Sequence, residues 1–374
     1  GTLNAEVGAE IERVRAEIFD LAGCQFDLNS PAKVAAILYD KLGVPCKGTT
    51  DGGKPSVDRE ALSDVRGYHP VVDAILRYRE IDKLASTFLN VLPAMVDSSG
   101  RIHPEFKPLG PKGGRFSCSD PNVQQIPARS ELGKRLREAF ITETGCKLVV
   151  ADYSQMELRV LAHFSRDPDL VAAYTSEQEI DLHTLTASKM FKKAIADVTG
   201  QERKVAKMIN FGIAYGITPT GLFNRLRPEG VDVTEAQCEK FIEDYFNTYK
   251  GVRTFLERVI TVIKRRGYVR SLFGRRRRLT GRTARERRQA ENFIIQASAA
   301  DIAKDAMVRL DKALPESARL IAQIHDEFIV ECPESDAEQV REVMIEVMSE
   351  APAGFTIPLK VDAHIGESWG DAKG

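Results

Sequence analysis

Apolar residues recur at helical spacing over residues 1 to about 96 and again from about 155 to 310, and only near residue 319 does the period fall to two. "AEIERVRAEIFDLAG" predicts an amphipathic helix closed by Gly23. "SPAKVAAILYDKLGV" predicts a second, with Ser30 as N-cap and Pro31 at the first helical position. "HPVVDAILRYREIDKLASTFLNVL" predicts a third, long one, and residues 97 to 150 read as loops and short strands. "KLVVADY" is a strand that carries Asp152 out of an apolar run; five residues on, Glu157 lies at the start of a helix. "RLIAQIHDEFIVECP" predicts two strands hinged at His325-Asp326, followed by a helix in "SDAEQVREVMIEVMSEA" and a last strand in "IPLKVDAHIG". That order implies an α+β chain whose antiparallel sheet is assembled from distant segments.

A chain of 374 residues exceeds one ordinary core, so two or three subdomains are expected. With 43% hydrophobic and 29% charged residues it reads as soluble and globular, and no apolar run approaches the roughly 18 residues of a membrane span. The amphipathic start is no signal peptide, and a first residue of Gly rather than Met suggests a processed, excised or engineered beginning. The six cysteines form no CxxC pair, which favours reduced thiols over a zinc or redox site. Net charge is near zero, but between Lys264 and Arg288 lie twelve Lys or Arg and a single acid, Glu286. Such a stripe suits either a solvated helix face or a long anionic polymer. The loop "PCKGTTDGGKPS" nearly matches a phosphate-binding loop through Gly48, Gly53 and Lys54. Pro55 stands where the magnesium-binding hydroxyl belongs, and no strand precedes the loop, so a nucleotide site there is rejected.

Two acids at strand ends, Asp152 and Asp326, are costly to bury unless something positive neutralises them. Either one alone is explained by capping a turn. Together, they suit a pair of magnesium ions, which favour a few carboxylates plus substrate phosphates. Two such ions roughly 4 Å apart activate an attacking oxygen and stabilise a leaving one. In "TGQERKVAKMINFGIAYG", Arg203, Lys207, Phe211 and Tyr215 are spaced by four. Each step drifts only about 40° around a helix, so the four form one slanted stripe. Thr199 and Glu202 fit a capping box that puts the positive helix end beside the two cations. Cation, cation, ring, ring reads as a triphosphate clamp followed by a stacking surface.

"DYSQMELR", "RKVAKMINFGIAYG" and "QIHDEF" resemble motifs A, B and C of the family A DNA polymerases, the bacterial DNA polymerase I type. The similarity runs in order from about residue 12 to 370 and includes "FDLNSPAKVAAILYDKLG", "GRFSCSDPNVQQIP", "RRGYVRSLFGRRRR" and "HIGESWGDAK". The resemblance implies a right-hand fold with an antiparallel-sheet palm. Residues 1–96 would be a helical thumb, truncated at its start. Residues 97–160 would be the first part of the palm, 161–310 the fingers and their connection, and 311–374 the second part of the palm. It implies that Asp152, Asp326 and the Tyr153 carbonyl hold two magnesium ions, with manganese able to substitute, and that Glu327 is a lesser acid. Arg203, Lys207 and His183 would contact the triphosphate of a dNTP, and Lys207 would protonate the departing pyrophosphate. Gln155 would join the nucleotide site, and Tyr215 would stack at the templating position. Glu157, packed beside Tyr215, would exclude a ribose 2′-hydroxyl; Phe211 implies rejection of dideoxynucleotides. Arg115, Asn122, Gln124, Arg275, Arg288, Asn292, Gln296 and His325 would contact primer-template DNA, where minor-groove acceptors allow pair geometry to be checked without reading sequence.

The chain departs from that pattern at "PLGPKGGR" and "QASAAD", and its segment after "GRRRR" is shorter than in Taq-like members. These departures bear on DNA affinity and fidelity rather than on chemistry. Nothing resembles the family's exonuclease or 5′-nuclease domains, so proofreading is expected to be absent. The expected enzyme is a monomeric, cytoplasmic and nucleoid-associated DNA polymerase without a membrane partner. Alternatives are a single-subunit RNA polymerase-like enzyme, which a carboxylate at Glu157 opposes, and a catalytically weak primer-template binding fragment.

Overall fold

The computed structural model describes residues 2–50, 52–128, 130–176 and 181–373. It divides into two compact units, residues 1–105 with 120–137, and residues 106–119 with 138–374.

In the first unit α1 (Thr2–Ala22) packs along α2 (Pro70–Leu84). Val7, Val14 and Ile18 recur on one face of α1 and are buried, as are Val71, Val72, Ile75 and Tyr78 of α2. Each large aliphatic side chain removed from water contributes about 2 kcal/mol. Gly23 closes α1 at φ +65°, a conformation that favours a residue without Cβ. The second predicted helix begins at Pro31 as expected, but only Pro31–Ala35 is α-helical, and Ala36–Lys41 widens to π geometry. Ser30 holds the N-cap position, yet its hydroxyl caps nothing. The third predicted helix likewise turns π at Ala85–Leu89. In the Gly-Lys loop, Thr49 and Pro55 form an isolated bridge, and no strand precedes it among the described residues; Asp51 lies outside them.

Residues 97–150 hold more than loops and strands, because Glu131–Glu138 is a helix. Its sequence, ELGKRLRE, buries only Gly133, Leu136 and Arg137, too narrow a stripe to register as helical periodicity.

The second unit is built on a four-stranded antiparallel sheet. β1 (Cys146–Tyr153) lies between β3 (Glu327–Pro333) and β4 (Val361–Gly366), and β2 (Arg319–Ile324) is the edge beyond β3. The sheet thus joins segments nearly two hundred residues apart, as the order of elements implied. β4 is shorter than predicted: Ile357 and Leu359 are buried outside the ladder, next to Pro358, which has no N–H to give it. Its helices include α3 (Met156–Ser165), α4 (Leu182–Phe191), α5 (Gly200–Ala214), α6 (Lys250–Arg266), α7 (Ala284–Ala313) and α8 (Ala337–Ser349). α8 packs on β1 and β4, and α7 packs on α3, α6 and α8. One core cluster runs from Val149 and Val330 of the sheet through Leu158 and Leu161 of α3 to Ile209 and Ile213 of α5. Among the described residues no helix is long and apolar enough to cross a membrane.

The helical pattern predicted for 155–310 is interrupted by a hairpin, Tyr268–Arg270 paired with Arg276–Arg278. The basic stripe is therefore shared by the end of α6, this hairpin and the start of α7. Three consecutive arginines carry no apolar alternation, so the strand left no period-two signal.

Candidate active site

Asp152 is the penultimate residue of β1, and Asp326 sits in the two-residue loop between β2 and β3. The loop's first residue, His325, takes φ +60°, the left-handed region that suits a tight hairpin but costs a non-glycine residue about 1–2 kcal/mol. The Tyr153 amide donates to the Asp326 carbonyl at 3.3 Å, which fixes the two acids on adjoining strand ends. Glu327 pairs across the ladder with Asp152 itself. Burial pushes the Asp326 carboxyl up to about 6; nearby Arg115 opposes this, while the charges of Glu157 and Asp152 add to it.

Gln155 initiates α3 at φ +54° and its side-chain oxygen accepts from the Tyr174 hydroxyl at 3.0 Å. Its turn places Glu157 in the first helical turn, side chain almost buried. There Glu157 accepts from Arg115 Nη2 at 2.8 Å and from the Tyr215 hydroxyl at 2.5 Å. Burial and the Glu157 charge push the Tyr215 phenol up to about 12, so it stays a donor. Gln296 also interacts with the Tyr215 hydroxyl.

α5 begins with the predicted capping box: the Glu202 amide donates to Thr199 Oγ1 at 3.2 Å and the Thr199 amide to Glu202 Oε2 at 2.9 Å. Arg203, Lys207, Phe211 and Tyr215 all retain exposure while Val205, Ile209 and Ile213 face the core, as the spacing requires. Tyr215 itself stands just past the last helical turn, as C-cap. Gly216 follows at φ +65°, and a Cβ there would meet Arg288 Cγ at 2.7 Å, so the Arg288 side chain lies over this turn.

His183, in the first turn of α4, lies 5.5 Å from Phe211 ring to ring. The buried Asn210 amide nitrogen approaches His183 Nδ1 at 3.1 Å and Thr186 Oγ1 at 3.1 Å. With Nδ1 accepting from Asn210, the ring's proton is assigned to Nε2. Burial lowers the His183 pKa to about 4, with help from the Arg203 and Lys207 charges. The ring is therefore neutral at pH 7.

Other sequence-predicted residues are placed less centrally. Arg275 sends Nε and Nη2 to Asp301 Oδ1, at 3.0 and 2.9 Å. Asn292 Oδ1 and Arg115 Nε are buried with no hydrogen-bond partner among the described residues. Asn122 and Gln124 belong to the first unit, where they start and continue a 3-10 turn, and among the described residues Asn122 Oδ1 is also buried without a partner.

Three neighbours escaped sequence reasoning. Asp181, the N-cap of α4, binds Arg203 through both carboxylate oxygens, at 2.7 and 3.2 Å from Nε and Nη2. Burial raises its pKa, but the Arg203 and Thr184 hydrogen bonds win and hold it down at about 2. Trp369 Nε1 donates to Glu327 Oε1 at 2.8 Å, and Lys373 bonds both Glu327 and Asp152. Asp181 before "LHT" carried an N-cap signal that was available; nothing in "WGDAK" announces contacts with residues more than forty positions away.

No group of three or more His, Cys, Asp and Glu able to hold a metal occurs among the described residues. Asp152 and Asp326 nevertheless fit magnesium, which takes one or two carboxylates and completes its shell with water and phosphate oxygens. The elevated Asp326 marks a place where positive charge is favourable.

A sequence model of the family described as DNA polymerase family A matches residues 1–371. The chain is 43% identical over 381 aligned positions to the thermostable DNA polymerase I of Thermus aquaticus, covering 99% of this chain and 45% of that protein. It is 39% identical to DNA polymerase I of Geobacillus stearothermophilus, covering 99% and 43%. The chain thus spans under half the length of these relatives. Among solved structures it resembles the POL domain of Pol1 from M. smegmatis in complex with DNA primer-template and dNTP, with a TM-score of 0.91 and 33% identity over 100% of this chain and 66% of that one.

Proposed function

We propose that this chain, which belongs to DNA polymerase family A, adds deoxynucleotides to a primer 3′-hydroxyl on a DNA template and releases pyrophosphate. The observation that carries this reading is the linked arrangement of its acids and cations. Asp152 and Asp326 sit on adjoining strand ends, and Arg115 and Glu157 act on Asp326 through their charges. Glu157 is hydrogen-bonded both to Arg115 and to Tyr215 at the end of the Arg203–Lys207–Phe211 stripe. The M. smegmatis domain, bound to primer-template and dNTP, is a precedent for both substrates.

In this reading Asp152, Asp326 and the Tyr153 carbonyl would hold two magnesium ions, which manganese could replace. Bound there, the ions supply positive charge to the attacking and leaving oxygens of phosphoryl transfer. Arg203 and Lys207 grip the triphosphate, Arg203 with a planar fork that matches two phosphate oxygens. His183, neutral with its proton on Nε2, offers a phosphate one directed hydrogen bond. Lys207 donates the proton that the departing pyrophosphate takes up. Phe211 packs on the nucleotide, and Tyr215 occupies the templating position until the stripe moves. Glu157, held by Arg115 and Tyr215, crowds the sugar 2′ position and selects deoxyribose. Arg288, Asn292, Gln296, His325 and Arg115 contact the primer-template near the acids, and Asn122 and Gln124, in the first unit, also contact primer-template DNA. Arg275 adds charge to that surface. Residues 1–96 act as thumb, 97–160 and 311–374 as palm, and 161–310 as fingers with their connection.

Extension of a labelled primer with dNTPs or rNTPs tests this reading. Templated incorporation of dNTPs with strong rejection of rNTPs is expected. Equal use of both supports the RNA polymerase alternative, and salt-sensitive DNA binding without extension supports a binding fragment.

A further inference from the structure

The metal-binding pair has a neighbour of its own with the opposite charge. The short 3-10 turn Asp371–Lys373 follows β4 and is pinned to it. The Ala372 amide donates to the Ser368 carbonyl, the Asp371 amide to Ser368 Oγ, and Asp371 Oδ2 accepts from the Glu367 amide, each at 3.0 Å. Ala372 is fully buried, and a Cβ on Gly366 would lie 2.5 Å from its nitrogen, so only glycine lets the turn sit this close to the strand. From this fixed base Lys373 Nζ donates to Asp152 Oδ2 at 3.0 Å and to Glu327 Oε2. The Glu327 side chain is only 2% exposed, and its other oxygen is taken by the Trp369 indole. Glu327 is therefore satisfied on both oxygens and held rigidly by residues of one short segment.

Glu327 is buried and needs a partner of opposite charge, whereas Asp152 is 43% exposed and meets the same ammonium at the solvent side. Three acids, Asp152, Asp326 and Glu327, converge at the strand ends, and the ammonium on Lys373 is directly bonded to two of them. It is also partly exposed and lines an open cleft of about 390 Å³ with Asp152, Ser154, Gln155, Asp362 and His364. Water and ions therefore reach the Asp152 side of the bridge.

We propose that Lys373 is the resident counter-ion of the catalytic carboxylates: its ammonium neutralises Asp152 when no metal is bound and must give up that contact when a divalent cation arrives. Its charge lowers the affinity of the site for metal alone, so that tight metal binding requires the negative charge of the incoming triphosphate. Glu327 is the anchor that keeps the ammonium within reach after it leaves Asp152, which gives this acid a role separate from metal ligation. The proposal rests on the metal-site reading of Asp152 and Asp326 above. It assigns Lys373 as a positioning residue, because it acts through Asp152.

The test is titration of the DNA-free, nucleotide-free protein with Mn2+, followed by the loss of the free-ion electron paramagnetic resonance signal. Wild type, Lys373→Met, Lys373→Arg and Asp152→Asn are compared, with thermal unfolding to establish that each is folded. Removing one positive charge next to a divalent ion at a partly solvated site is expected to tighten Mn2+ binding about five- to tenfold in Lys373→Met. Lys373→Arg is expected to stay near wild type. Mn2+ is expected to raise the unfolding midpoint of Lys373→Met more than that of wild type. A merely structural lysine predicts the reverse, a Met variant that binds Mn2+ equally or more weakly, and that result overturns the proposal. Asp152→Asn separates the two levels of the argument. If it weakens Mn2+ binding while Lys373→Met leaves it unchanged, the metal site stands and the counter-ion role falls. If Mn2+ affinity ignores Asp152→Asn, the metal site itself fails.

Discussion

The Tyr215 hydroxyl donates to Glu157 Oε2 at 2.5 Å, joining the first turn of α3 to the residue that ends α5, 58 positions away. Arg115 holds the other carboxylate oxygen, so Glu157 is clamped from two sides; in the proposed function this fixed carboxylate is what excludes a ribose 2′-hydroxyl. Glu157→Ala is expected to lower discrimination against ribonucleotides by about 10- to 100-fold, or about 1.4–2.8 kcal/mol. Glu157→Gln, which keeps the bulk and can still accept from Tyr215, is expected to lose far less. Single-nucleotide kcat/KM for matched dNTP and rNTP pairs measures both.

In the proposed function, Asp181 competes with the triphosphate for Arg203. Its bidentate grip must open before the guanidinium can fork onto phosphate oxygens, but both side chains are more than a third exposed, which limits the cost to about 0.2–1 kcal/mol. Asp181→Asn keeps an α4 N-cap, because asparagine caps as well as aspartate does. It is expected to lower the KM for dNTP by up to about fivefold with little change in kcat. Arg203→Ala is expected to raise KM. An unchanged KM in Asp181→Asn shows that the ion pair is not in competition with substrate.

His183 links this site to pH. Its pKa falls from 6.5 to about 4 in the folded chain, chiefly through burial. Between these values the unfolded chain carries the extra proton and the folded chain does not. Its contribution is therefore fully present above pH 6.5 and is lost as pH falls toward 4, with an upper scale of about 2 kcal/mol after allowance for solvent screening. Urea unfolding at pH 7 and pH 5 is expected to show a larger loss of stability in wild type than in His183→Gln. Equal losses mean that the imidazole is not the titrating group.

Much of this arrangement was legible in the sequence because the relevant signals are local. Thr199 and Glu202 sit three apart and form the capping box they predict; the four-residue spacing put Arg203, Lys207 and Phe211 on one face; "IHDE" gave a hairpin tip at the right pair. The strand end at Asp152 and the helix start at Glu157 fell where they were read, while the separate roles of the two acids came only with the family resemblance. The π-helical turns at Ala36–Lys41 and Ala85–Leu89 were not legible, because a one-residue widening leaves the apolar face nearly unchanged. Nor was the Arg276–Arg278 strand, whose residues pair by backbone while their side chains stay charged. Lys373 and Asp181 were missed for a different reason. Lys373 acts through two long-range ion pairs and Asp181 through one cross-helix pair that its N-cap signal does not announce, and a single charge carries no period.

The central claim is that Asp152 and Asp326 hold the charge on which synthesis depends, while other residues hold the DNA. Primer extension by wild type beside Asp152→Asn, with primer-template binding measured on the same preparations, tests it most directly. Extension by wild type is expected, with at least a thousandfold loss (about 4 kcal/mol) in the variant and unchanged DNA affinity. Robust extension by Asp152→Asn would contradict the account.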